Sequence, residues 1–334
     1  MIPHNKPTIG EEEEAAALRV LRSGQLAQGI EVEEFENEFC EFVGLSRGHA
    51  VAVSSGTASL YLALLALKAS GKEVFFPGYV CSAIRNATGM IGGNEKIVDV
   101  ASNSPNIDIE KIGRDKISII PHMYGIPVDL SGHENLHVIE DCAQALGAKV
   151  NEISVGLQGD IGVFSFYVTK LITTGGQGGI VISKNKEYIE TIRDYREFDF
   201  RRDTKKRFNF QMTDLQAAIG REQLKKLPIF LKRREEIFQR YKKAGLDLLD
   251  VRVQDTHISP VRYRAVMKTQ QPDRIIDSLR DIGVRSIIPT EDWEIMGSHQ
   301  SLPKSIELSK HTVSLPIYPT LSDSDVDTIL SAII

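Results

Sequence analysis

Apolar residues along this chain follow two periods. From residue 11 to residue 44 they recur at helical spacing. "EEEEAAALRVLRSG" (11–24) carries acids in its first turn and stops at Gly24, which predicts a helix with a glycine end. "EVEEFENEFCEFVG" (31–44) repeats that logic, with Phe35, Phe39 and Phe42 on one face and Gly44 as the stop. From residue 49 the period shortens. "HAVAV" (49–53), "EVFFPG" (73–78), "EKIVDV" (95–100), "ISIIPHMYG" (117–125) and "LHVIEDCAQ" (136–144) are short apolar runs, and "GDIGVFSFY" and "GGIVIS" continue the series. Loops or helices such as "ASLYLALLALKAS" separate them. This alternation predicts an α/β fold with a mostly parallel sheet covered on both faces.

After Ser183 the pattern turns helical again. "EYIETIRDYREF" predicts one helix. "MTDLQAAIGREQLKKL" predicts another, carried past Pro228 by "IFLKRREEIFQRYKKAG". The last stretch reads as a small α+β unit: strand "ISPVRYRAVM", helix "PDRIIDSLRDIG", strand "VRSII", and a final helix capped at Ser322 or Asp323. The expected division is therefore 1–245 for a large domain and 246–334 for a small one, with the boundary at Gly245.

Composition narrows the function classes. A formal net charge of -5 gives no global basic field for nucleic acid, and the run "RRDTKKR" (201–207) has no interleaved aromatic residues. The longest greasy stretch, "SLYLALLALKAS", is broken by Lys68 and too short for a bilayer, so no membrane association is expected. The three cysteines, Cys40, Cys81 and Cys142, form no CxxC pair. A disulfide framework and a zinc site are not expected, and a reducing cytoplasm is. The N-terminus lacks the basic and apolar regions of a secretory signal.

Three segments could carry chemistry. "VAVSSGTASL" is a strand, a tight turn and a helix start. The amides of Gly56 and Thr57, beside the hydroxyls of Ser55 and Thr57, could bind a phosphate; an ordinary N-cap is the other reading. "VIEDCAQALGA" puts Asp141 at the C-terminal end of a buried strand, where open α/β sheets bind ligands, or where it caps the next helix. "GDIGVFSFYVTK" brings Ser165 and then Lys170 to the loop "TTGGQGG", whose glycines let backbone approach a ligand. Together these suit one cofactor with a phosphate, a protonatable ring nitrogen and an aldehyde: pyridoxal 5'-phosphate. Lys170 would hold the aldehyde as an imine, and Asp141 would keep the ring nitrogen protonated. His122 reads as a strand-end histidine held by hydrogen bonds rather than a catalytic one, Cys142 as a packing residue rather than a nucleophile, and Trp293 as a residue that stacks on a sugar or base or one with an interface or core role.

Over most of its length the chain resembles the DegT/DnrJ/EryC1/StrS family of pyridoxal-phosphate-dependent sugar aminotransferases. The resemblance lies in "LRSGQLAQGIEVEEFENEF", "SSGTASLYLAL", "PHMYGIPVDL", "IEDCAQALGA", "GDIGVFSFYVTKLITTGGQGG" and "FNFQMTDLQAAIGREQL", in that order. It implies the aspartate-aminotransferase (type I) fold, with a seven-stranded sheet. It implies that Lys170 holds the cofactor and shuttles the proton, and that Asp141 pairs with the ring nitrogen. Gln144 would lie near the ring and its phenolic oxygen, and Gly56, Thr57 and Ser165 would hold the phosphate. Asn209 would reach the phosphate of a neighbouring subunit in a homodimer. Glutamate would be the donor and a nucleotide-linked keto-sugar the acceptor.

Three positions depart from the family. Cys81 stands where an aromatic residue often stacks on the ring, with Tyr79 two positions before it. "TTGGQGG" replaces the common "TTGEGG", and Gln211 replaces an arginine. These departures leave room for a member that binds the cofactor without transamination. A third reading is the family's sugar dehydratases, but those carry histidine where this chain has Lys170.

Overall fold

The computed structural model describes residues 1–252 and 254–334. Helices α1 (Glu11–Ser23) and α2 (Ile30–Val43) end on Gly24 and Gly44, both in the left-handed region at φ 73° and 86°. The short apolar runs become strands: β1 (Ala50–Val53), β2 (Glu73–Pro77), β3 (Asn94–Val98), β4 (Ile117–Pro121) and β5 (His137–Asp141). A two-residue pair, β6 (Lys149–Val150) and β7 (Ile153–Ser154), precedes β8 (Ile161–Ser165) and β9 (Gly179–Ile182). Helices α3 (Gly56–Ala66), α4 (Ala83–Met90) and α5 (Lys186–Arg196) lie between or after them, and α6 (Asp214–Lys243) runs unbroken through Pro228.

The main sheet has seven strands in the order β1-β9-β8-β5-β4-β2-β3. Only β9 opposes its neighbours; it is antiparallel to both β1 and β8. Six strands therefore share one direction, and their C-terminal ends lie on one edge. The alternation of side chains divides the core into two faces. Val51 and Val53 face the cluster that holds α3 and α4, whereas Ala50 and Ala52 face the cluster that holds α2 and the first half of α6. On that second face Phe35, Phe39, Phe164 and Phe166 pack edge to face, with centroids 5.0 to 6.2 Å apart.

The C-terminal region departs from expectation in detail. "ISPVRYRAVM" is not one strand. It divides at Pro260, which has no amide to donate, into β10 (Ile258–Ser259) and β11 (Ala265–Lys268). β10 pairs with β6, and β11 pairs with β12 (Thr312–Leu315). "VRSII" forms only two isolated bridges among the described residues, from Val284 to Ile2 and from Ile287 to Ser314, so β12 takes the place expected for it. Helix α7 (Pro272–Asp281) is as expected, α8 (Pro303–Lys310) is additional, and α9 (Asp323–Ser331) starts at a Ser322 cap with a reciprocal Asp325 bond. Core contacts cross Gly245 in both directions. Ile237, Phe238 and Tyr241 of α6 pack with β11, β12 and α9, and Ile295, Met296 and Leu302 pack with α3 and β2. No helix among the described residues is long and apolar enough to cross a membrane.

Candidate functional site

Strand direction alone assembles the site. β1, β8, β5, β4 and β2 all end at the same edge, where an open α/β sheet offers a crevice. A cavity of about 200 Å³ opens there. It is lined by Gly56 and Thr57 after β1, Cys81 after β2, His122 after β4, Asp141 and Gln144 at the end of β5, and Ser165 and Lys170 at the end of β8. Seven of the eight expected site residues therefore meet in one cavity.

Each has a local cause. Ser55 caps α3 by accepting the Ala58 amide at 3.1 Å. The amides of Gly56 and Thr57 stay without an acceptor among the described residues, at the positive end of the helix. Gly56 lies so close to Ser165 that an added Cβ would come within 2.8 Å of the Ser165 Cβ. This cradle requires glycine. Gly56→Ala is expected to push α3 from β8, at a cost of about 1–3 kcal/mol, and to weaken pyridoxal-phosphate binding. A melting curve and a cofactor titration would check this.

Asp141 accepts the Ala143 amide at 3.0 Å through one oxygen. Its other oxygen has no hydrogen-bond partner among the described residues. Burial pushes this carboxyl up, and the Ala143 amide and the Lys170 charge pull it back. Its neighbour Glu140 is the opposite case. That carboxylate accepts from the amides of Gly156, Gln158 and Gly159 at 2.7 to 2.8 Å and from His122 Nε2 at 3.0 Å. Burial works to raise the Glu140 pKa and is outweighed by the His122 bond and these amides, which hold it below 4.5. His122 Nδ1 in turn accepts the Val128 amide. His122, Glu140 and Cys142 place ligand atoms within 4.8 Å of one another, but hydrogen bonds to protein groups occupy both His122 nitrogens and both Glu140 oxygens.

Glu140→Ala would leave these buried donors without an acceptor and should cost about 3–5 kcal/mol. The pH sign follows from the lowered value. The contribution of Glu140 is complete above its unfolded pKa and is lost as pH falls through the folded one. Glu140→Gln should therefore flatten the acid limb of the stability curve below about pH 4.5 in a chemical-denaturation series.

Gln144 Oε1 accepts the Tyr124 amide at 2.8 Å, which turns its NH2 group away from that contact. Tyr124 itself holds a left-handed backbone at φ 60°. Lys170 Nζ lies 5.4 Å from the centre of the Tyr263 ring. Cys81 is exposed at the cavity mouth, whereas Tyr79 is fully buried and accepts the Tyr124 hydroxyl. Tyr79 is therefore turned away from the cavity. Asn209 also lies outside it, on the exposed 201–209 segment, with Oδ1 accepting the Gln211 amide. Gln211 in turn bonds Glu197.

The glycine loop acts differently from expectation. Gly178 presses on Thr174 and Gly179 on the Ser55 carbonyl, so these two allow close packing of protein on protein. Gly175 and Gly176 supply positive φ, and Gln177 reaches the cavity wall. Met123, Tyr167 and Val80 also line the cavity and were not expected from the sequence. As apolar or aromatic residues beside strand ends they carry no distinguishing pattern. His122 and Cys142 are buried, the latter with its thiol pushed up by burial, whereas Trp293 is 77% exposed, which overturns a core role for it.

Comparison with known proteins agrees with this geometry. The model of the DegT/DnrJ/EryC1/StrS aminotransferase family matches residues 7–334. The spore coat polysaccharide biosynthesis protein SpsC of Bacillus subtilis is 31% identical, over 99% of this chain and 96% of its own. GDP-perosamine synthase of Escherichia coli O157:H7 is 30% identical, over 99% and 97%. The crystal structure of the aminotransferase TlmJ from Streptoalloteichus hindustanus superposes with a TM-score of 0.91 at 29% identity, covering 100% of this chain and 98% of that one.

Proposed function

Because this chain belongs to the DegT/DnrJ/EryC1/StrS aminotransferase family, we propose that it moves an amino group from glutamate to a nucleotide-linked keto-sugar, using pyridoxal phosphate held around Lys170. The chain is an aminotransferase of a sugar-modifying family with the type I fold. The observation that carries the cofactor reading is the open oxygen of Asp141, in one cavity with the Lys170 amine and the free amides of residues 56 and 57.

Those residues divide the work. The Gly56 and Thr57 amides and the Ser165 hydroxyl suit a phosphate dianion at the start of α3. The open Asp141 oxygen suits a protonated ring nitrogen, which would satisfy a carboxylate that burial otherwise disfavours. Gln144 offers its NH2 group to a ring oxygen. Pyridoxal phosphate, when bound, supplies an aldehyde for the lysine and a ring that accepts the electron pair released when a C–H bond is broken. Lys170 Nζ would accept the proton of that C–H bond from the donor carbon, hold it as the ammonium, and deliver it to the carbon that carried the aldehyde. Cys81 covers the mouth with a soft, small side chain, which leaves more room above the ring than an aromatic residue would.

A homodimer with shared sites completes the reading. Asn209 directly follows exposed Phe208 and shares its segment with exposed Phe200; these rings are 60% and 99% accessible in the single chain. A second copy covering this segment would bury both rings and bring Asn209 to its own cavity. The three unpaired cysteines favour the cytoplasm as its compartment.

The test is isotopic. The holoenzyme is incubated with nitrogen-15 L-glutamate and a panel of nucleotide-linked 3-keto and 4-keto sugars. Mass spectrometry should find the label in a sugar product. Cofactor binding with no labelled amine from any panel member would instead favour a binding role.

A further inference from the structure

We propose that Arg264 binds a carboxylate of the amino donor. This inference rests on the aminotransferase reading above. Arg264 is half-buried, and its only side-chain hydrogen bond among the described residues is a long one, from NH1 to Ser314 Oγ at 3.4 Å. Neighbouring arginines have carboxylate or carbonyl partners, although Arg234 Nε has none among the described residues. Arg262 donates to Glu235 and Asp250, Arg233 to Asp323, and buried Arg234 to the carbonyls of Arg262, Tyr263 and Ile317. Among the described arginines that are not exposed, Arg264 alone has neither a carboxylate nor a carbonyl partner.

Its position links it to the reacting amine. The Arg264 guanidinium lies 5.6 Å from the centre of the Tyr263 ring, the same ring that Lys170 Nζ approaches to 5.4 Å. No carboxylate among the described residues pairs with it, and the neighbours named next are uncharged or positive. Ser314 Oγ meets His4 Nε2 at 2.9 Å. Burial, together with the charges of Arg264, Arg285 and Arg234, holds that imidazole neutral. Tyr79 and Tyr124 pair their hydroxyls with each other. A half-buried guanidinium with this surplus of positive charge attracts an anion, and its fork matches a planar carboxylate.

The chemistry favours the donor over the nucleotide. In an amino acid the carboxylate is bonded to the carbon that bears the amine, so it stays near Lys170. In a nucleotide-linked sugar the diphosphate is separated from the keto carbon by the sugar ring.

The holoenzyme tests this by the loss of its visible absorbance against L-glutamate concentration. In Arg264→Gln the half-saturating concentration should rise by about 10–100-fold, with the starting band unchanged. Arg264→Lys should recover part of the loss. Maleate, which cannot react, should compete with glutamate in the wild type and lose this ability in Arg264→Gln, while competition by UDP or GDP is unchanged. A merely structural role would lower the melting temperature and leave both carboxylate dependences intact, which would overturn the proposal. Loss of nucleotide competition with glutamate dependence retained would overturn it in favour of the nucleotide. Failure of the wild type itself to respond to glutamate would overturn the underlying reading, and this inference with it.

Discussion

Lys170→Ala is expected to abolish both the visible absorbance of the cofactor-loaded protein and its turnover. The lysine supplies the only amine in the cavity lining among the described residues, so no other residue there can hold the aldehyde as an imine. In the proposed function the same nitrogen also moves the proton, and loss of an acid–base group alone costs roughly 10²–10⁴-fold. The two losses fall together, so residual activity should be undetectable. The fold should survive. The Lys170 side chain makes one contact over the Tyr263 ring, worth about 0.5–2 kcal/mol, and its backbone bond to Tyr167 is untouched. A near-native melting temperature with no band and no product is the expected pattern. Wild-type turnover in this variant would remove the assignment.

Asp141→Asn should separate catalysis from stability. A neutral amide cannot keep a ring nitrogen protonated, so the rate should fall by a factor on the order of 10²–10³. Phosphate anchoring and Lys170 are unchanged, so the cofactor should still bind. Stability without cofactor should move the other way. The wild-type carboxylate is half-buried with one open oxygen and a raised pKa, a costly arrangement in the absence of a cation. Replacing it by an uncharged isostere removes that cost, and the cofactor-free variant should melt at or above the wild type. A lower melting temperature together with full activity would show Asp141 to be a structural cap, the other reading its position allowed.

The sheet was legible because its strands are buried on both faces and read as unbroken apolar runs. "AVAV" and "ISIIP" are buried throughout. The glycine stops of α1 and α2 and the Ser322 cap of α9 were visible for the same local reasons that make them work. Helices α4 and α8 were missed because neither has a side-chain cap bond, and α4 holds a glycine in its last turn. The small-domain strands were misplaced because Pro260 divides an otherwise convincing run. β12, buried in all four positions, includes two hydroxyl residues that hide it. At the site, residues at strand ends were readable from the sequence. Tyr263 and Arg264 were not, since they arrive from more than 90 positions downstream of Lys170 through the pairing of β11 with β12. Only the three-dimensional arrangement brings that segment to the lysine.

The central claim is that one cavity binds pyridoxal phosphate on Lys170 and accepts an amino group from glutamate. The absorbance spectrum of the purified protein with pyridoxal phosphate, before and after L-glutamate, tests it most directly. A visible band that forms on loading, bleaches with glutamate, is lost irreversibly on borohydride treatment of the loaded wild type and does not form in Lys170→Ala is the predicted result. A wild-type spectrum identical to that of free cofactor, or a band that no concentration of glutamate changes, would contradict it.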